Sequence, residues 1–152
     1  MSLAASLLTV QLFVGGRLGF TVLALLALVA PALAADVTVV VTGLRSTAGD
    51  LYVAACNEET FLKPRCLHEA RGSAGEKTVV LRGLPGGTYA VQVFHDENGN
   101  ADFDRARSGW PLEGLAFSRD APMRFGPPRF ADAAFEVSDA PVQVPVTMRY
   151  FQ

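Results

Sequence analysis

Thr88-Tyr-Ala-Val-Gln-Val-Phe-His95 is the stretch that decides the fold. Tyr89, Val91 and Val93 alternate with Ala90, Gln92 and Phe94, the period of two that turns one set of side chains to a core and the other away from it. Pro85-Gly-Gly-Thr88 sets a turn before the strand, and the chain leaves it directly into Asp96-Glu-Asn-Gly-Asn-Ala-Asp-Phe-Asp104. The same pattern recurs on either side. Asp36-Val-Thr-Val-Val-Val-Thr-Gly-Leu44 is rich in β-branched residues, with Val37, Val39 and Val41 on one face. Ser46-Thr-Ala-Gly-Asp50 is a turn, and Leu51–Cys56, Lys77–Leu84, Ala133–Val137 and Val142–Phe151 supply further strands. Pro145 has no N–H for a ladder, so the last strand belongs at a sheet edge or turns that position outward.

Short strands between turn signals, with little helical periodicity, predict an all-β fold: a single antiparallel β-sandwich. Asn57 followed by Glu58 and Glu59 suits a short helical piece before Pro64. The polar stretch Leu67–Glu76 reads as a loop. Residues 105–131 carry Gly, Pro and aromatics without clear periodicity and read as a long ordered excursion.

Residues 1–34 have one charge, Arg17, then an apolar run from Leu18 to Val29 and the small-residue pattern Pro31-Ala-Leu-Ala34. This is the form of a signal peptide cleaved after Ala34, leaving residues 35–152 as one domain. An uncleaved N-terminal anchor is the alternative, but the run is short against the roughly 20 residues a spanning helix needs. The expected product is periplasmic or secreted, with no stable membrane span after cleavage. All 15 acidic residues and 12 of the 13 basic ones lie beyond residue 34, a net charge of −3, and only two residues are lysine. That balance argues against nucleic acid as a partner. In an oxidising compartment Cys56 and Cys66, the only cysteines, are expected to pair as a disulfide.

The acidic loop carries the chemical lead. Asp96, Asn98, Asn100, Asp102 and Asp104 fall at alternate positions, and alternate residues of a tight loop direct oxygens at one centre, as calcium requires. Asp102 is expected to offer its carbonyl. The loop departs from the helix-loop-helix calcium pattern: it follows a strand, Ala101 stands where the sharp turn wants glycine, and Arg107 stands where a bidentate glutamate is usual. Glu113 supplies such a carboxylate only if the chain folds back. The competing reading is an Asn-Gly turn with solvated acids. If calcium binds, the affinity expected is of the weak extracellular kind, roughly 0.1–1 mM. Trp110, Phe117, Phe125 and Phe130 are candidates to line a ligand groove, or to roof the core. His68 lies in the polar stretch, and His95 adjoins Asp96 at a strand end.

Taken together, Thr42-Gly-Leu44, Leu84-Pro-Gly-Gly-Thr-Tyr-Ala-Val-Gln-Val-Phe-His-Asp-Glu-Asn-Gly-Asn100, Pro111-Leu-Glu-Gly114 and Arg124-Phe-Gly-Pro-Pro-Arg-Phe-Ala-Asp-Ala-Ala-Phe135 resemble a family of small exported bacterial proteins, domain of unknown function 2141. The resemblance implies an envelope or secreted location and a sandwich similar to transthyretin-like or collagen-adhesin B-type domains. It implies no activity. Members usually show glycine where Ala101 stands.

No nucleophile elbow, phosphate loop, zinc motif or dinucleotide fingerprint is present. The function expected is therefore a non-catalytic accessory or binding module of the bacterial envelope, acting on a protein or cell-envelope ligand, with a weak calcium site at residues 96–104. The alternative is a small periplasmic hydrolase using His95 with nearby carboxylates.

Overall fold

The computed structural model describes residues 34–151. The leader expected over residues 1–34 lies outside them, except for Ala34. The strands are β1 (Ala34–Thr42), β2 (Asp50–Cys56), β3 (His68–Ser73), β4 (Thr78–Pro85), β5 (Gly87–Asp96), β6 (Gly114–Phe117), β7 (Phe135–Val137) and β8 (Val142–Thr147). A 3₁₀ turn at Ser118–Asp120 and one helical turn, α1 (Phe130–Ala133), are the helical pieces among the described residues. None of the described helices is long and apolar enough to cross a membrane.

Two sheets result. The smaller has the order β4-β1-β8; the larger runs β3-β2-β5-β6, with β7 also paired to β5. Val37, Val39 and Val41 of β1 join Leu51 and Val53 of β2, Val91 and Val93 of β5, and Val144 and Val146 of β8 in one buried cluster. Every one of these residues belongs to the inward phase of its strand, which is why the alternation in the sequence is clean. Burying each such side chain stabilises the fold by about 1.5–3 kcal/mol. A satellite cluster of Cys56, Phe61, Ala90, Phe117, Ala121 and Ala133 fills the end under the long excursion. There Phe61 meets Phe117 and Phe130 edge-on, each at 5.8 Å between ring centres. The Cys56–Cys66 disulfide closes over this end.

Several expectations require correction. The two-sheet fold is not wholly antiparallel: β8 pairs parallel to β1, Val37 facing Val142 and Thr42 facing Thr147. No hairpin turn joins these two strands, so β8 takes the direction in which it arrives after β7 leaves the larger sheet. β8 also stops at Thr147, short of the strand expected to run to Phe151. It is an edge strand, and Pro145 on it is exposed. His68–Ser73, read as loop, is strand β3 paired along β2 from Asp50–Ser73 to Ala55–His68. Its half-buried phase is His68, Ala70 and Gly72, with no large apolar side chain, so backbone pairing more than an apolar face holds it. The excursion over 105–131 contains β6, paired to β5. After Asn57 the chain makes a hydrogen-bonded turn rather than a helix, with the Asn57 Oδ1 accepting from the Thr60 N–H at 2.9 Å.

Candidate functional site

The outward phase of the larger sheet carries aromatic and aliphatic side chains among its polar ones. Across β3, β2, β5 and β6 the residues Arg71, Tyr52, Phe94 and Leu115 stand opposite one another in register, and Glu69, Ala54, Gln92 and Phe117 form the next row. Tyr52 and Phe94 stack face to face, 4.7 Å apart and 5° from parallel. The Arg71 guanidinium lies over the Tyr52 ring at 5.1 Å while pairing with Asp50. Such cross-strand pairs contribute about 0.2–1 kcal/mol each, well below what burial of the same rings under a cover yields.

That cover is partial, and it makes a cleft of roughly 1150 Å³ above the sheet. One wall is the end of the acidic loop and the segment that follows it. Phe103 leans on Phe94 at 5.7 Å, Arg105 sits over Phe103 at 4.5 Å, and Trp110 meets Phe151 at 5.9 Å. The other walls are Leu62-Lys63-Pro64 of the disulfide-closed loop and Met123–Pro127. Gln92 ties the former to the sheet, its Oε1 accepting from the Leu62 N–H at 3.3 Å. Trp110 remains 56 % exposed and Phe125 fully so. Of the charged residues lining the cleft, Lys63, Arg71, Arg105 and Arg124 are basic and Glu69 alone is acidic. A domain with net negative charge thus presents a basic aromatic surface here.

The acidic loop lies beside this cleft, and Ala101 and Phe103 belong to both. Asp96 is fully buried. Its Oδ1 accepts from the N–H groups of Gly99 (2.8 Å) and Asn100 (3.2 Å), and its Oδ2 from that of Ala101 (2.9 Å). The side-chain amides of Asn98 and Asn100 donate to one oxygen of Asp104, at 2.7 and 3.0 Å. The chain folds back so that Glu113 meets this loop: its Oε2 accepts from the Asp104 N–H at 3.1 Å. Glu113 is only 4 % exposed and its Oε1 has no hydrogen-bond partner. Burial pushes the Glu113 carboxyl above the ordinary carboxylate range, with the Asp104 N–H and, more weakly, the Glu97 N–H opposing the rise and the charges of Asp96 and Asp104 adding to it. Glu97 goes the other way, lowered by the Arg45 guanidinium that bonds it.

His95 is fully buried on the core side of β5. Its Nε2 lies 2.7 Å from the Ala48 carbonyl, which can only accept, so Nε2 carries a proton. Its Nδ1 lies 2.8 Å from the Tyr150 hydroxyl, which in turn accepts from the Arg45 N–H at 3.3 Å. Both ring nitrogens are occupied, and the ring clamps the β1–β2 turn and the C-terminal segment to β5.

Of the four aromatics singled out as groove candidates, Trp110, Phe117 and Phe125 line the cleft, whereas Phe130 packs on Phe61 in the satellite core. Arg124 lines the cleft; His95 and Glu113 do not. Tyr52, Phe94 and Phe103 went unremarked as site residues. The signal for the first two was their phase, since both are aromatic at positions out of step with the core valines of their own strands.

These features define a two-sheet β-domain with a basic, aromatic cleft bordered by a carboxylate-rich loop. The chain belongs to the family described as an uncharacterized protein conserved in bacteria (DUF2141), whose model matches residues 39–145. No curated protein and no solved structure matches it.

Proposed function

We propose that this chain is a non-catalytic binding module of the bacterial envelope, and that the cleft over β3-β2-β5-β6 receives an acidic segment of a protein partner. One observation carries the reading: the outward face of the larger sheet bears Tyr52, Phe94 and Leu115 where a solvated sheet face is polar. Tyr, Trp, Phe, Met and Arg are the residues enriched at the centres of protein interfaces, and acids are depleted there. The cleft has that composition, with Trp110 and Phe125 as exposed anchors. With Arg71 engaged by Asp50, Lys63, Arg105 and Arg124 against Glu69 still call for a negatively charged partner. An envelope location draws support from the leader pattern and from the disulfide, which persists in oxidising compartments. A transthyretin-like or collagen-adhesin B-type kinship fits the two-sheet architecture.

The hydrolase alternative needs a base with a nitrogen open to substrate. His95 has neither exposure nor a free nitrogen.

The test is site-specific photo-crosslinking in the living bacterium, with the photoreactive residue at Trp110 and, as control, at Arg82 on the opposite sheet. A discrete adduct at Trp110, lost in Arg124→Glu and in Phe94→Ala, is the expected result. Equal, diffuse labelling at both positions would refute the cleft as a recognition surface.

A further inference from the structure

We propose that the loop Asp96–Asp104 and the returning Glu113 together form a calcium site, with the Glu113 carboxylate as the ligand that closes it. The loop alone would not justify this, since its amides and carboxylates satisfy one another. Glu113 is the independent observation. It comes from outside the loop, is more than nine-tenths buried, touches the loop through Oε2, and leaves Oε1 without a hydrogen bond of normal geometry, the Glu97 N–H acting on the carboxyl only weakly. A buried carboxylate oxygen with no donor costs about 1–3 kcal/mol or more, and native proteins leave few such groups without a reason. A cation at the loop supplies the missing partner.

The donor set suits a hard cation that takes six to eight oxygens. Asp96, Asn98, Asn100, the Asp102 carbonyl, Asp104 and Glu113 provide six groups, and either of the last two carboxylates can bind through both oxygens. Among the described residues no three His, Cys, Asp or Glu side chains converge as a ready-made cage. The remaining oxygens have to come from the amides. In the present arrangement the NH₂ groups of Asn98 and Asn100 face Asp104 and partly neutralise it. Their Oδ1 atoms accept from the Asn100 and Asp102 N–H groups, at 3.0 and 2.8 Å, and each keeps a second lone pair that a rotation of the side chain turns toward a cation, which then replaces the two donors at Asp104. Asp96 keeps its three backbone bonds and still has a lone pair to offer, since a carboxylate has about four acceptor positions. Zinc and other soft metals are poorly served by a site made only of oxygen.

The consequence for the cleft rests on the binding reading: Ala101 and Phe103 are cleft residues, so an ion in the loop fixes one wall. Metal binding itself does not depend on that reading. Isothermal titration of the full exported chain with calcium chloride alone should show one site with a dissociation constant of roughly 0.1–1 mM. Glu113→Gln retains an oxygen to accept from the Asp104 N–H and should weaken calcium at least tenfold, with an unchanged circular dichroism spectrum in chelator. Should that variant unfold, Asp104→Asn provides the same comparison at a half-buried part of the loop. Absence of binding heat and of any calcium-dependent rise in melting temperature would overturn the site; binding unaffected by Glu113→Gln would overturn its closing role. Crosslinking at Trp110 that is specific but indifferent to calcium would leave the metal site standing and remove its link to the cleft.

Discussion

Ala101 has φ = +64°, in the left-handed region, two residues after Gly99 at φ = +74°. An L-residue there costs roughly 1–2 kcal/mol, because Cβ crowds the following carbonyl. Ala101 is exposed, so replacing it with glycine removes this crowding and little packing. Against the gain stands the larger entropy that glycine loses on folding, about 0.5–1 kcal/mol. Ala101→Gly should therefore stabilise the domain by about 0.5–1 kcal/mol. With an unfolding entropy of about 2.1 cal/mol/K per residue over the 118 described residues, that corresponds to a rise of about 2–4 °C in Tm. Gly99→Ala is the mirror experiment. A Cβ on Gly99 meets nothing within 4 Å, so its cost is conformational, and a loss of similar size is expected. Urea denaturation followed by circular dichroism, in chelator so that no metal intervenes, measures both. If Ala101→Gly is neutral or destabilising while Gly99→Ala costs nothing, the left-handed loop geometry is wrong.

Gly49→Ala should be far more damaging, by about 2–4 kcal/mol, because φ is +69° and the new Cβ would lie 1.9 Å from the Asp96 carbonyl oxygen; the urea midpoint reports it. Tyr150→Phe deprives His95 Nδ1 and the Arg45 N–H of their shared hydroxyl and should cost about 1–3 kcal/mol by the same assay. Burial raises the Tyr150 phenol above its ordinary 10.0, so the folded state favours the protonated form. Its contribution is fully present below pH 10 and is lost as the pH climbs above it, a decline that stability measured against pH should show in the wild type and not in Tyr150→Phe. Replacing both Cys56 and Cys66 by alanine should lower stability by about 2–3 kcal/mol, and thiol labelling of the denatured, unreduced wild type should find no free thiol.

The strands with a continuous inward phase were legible in the sequence. β1, β2, β4, β5 and β8 each carry alternate apolar residues, and an alternating pattern has one stable reading when one face must leave water. Pro145 marked an edge for the same kind of local reason: it lacks an N–H. The cysteine pair was legible from the oxidising compartment that the leader pattern leads one to expect. β3 was not, because His68–Ser73 has no apolar phase, and a strand held by its neighbour's backbone leaves little trace in its own side chains. β6 is four residues long and buried at Gly114, Ala116 and Phe117, too short to show a period.

For the site, the sequence by itself determined the chemistry of the loop, since the spacing of Asp96, Asn98, Asn100, Asp102 and Asp104 is local. The tertiary structure alone decided what that loop meets. Glu113 reaches Asp104 because β6 pairs back along β5, and His95 is closed off because Ala48 and Tyr150, 47 and 55 residues away in sequence, supply its partners. The parallel course of β8 and the register that lines up Arg71, Tyr52, Phe94 and Leu115 are likewise pairings between distant strands. Side-chain pattern fixes which face of a strand is buried; which strand lies beside it depends on the summed packing of the whole core, and no short window of sequence contains that sum.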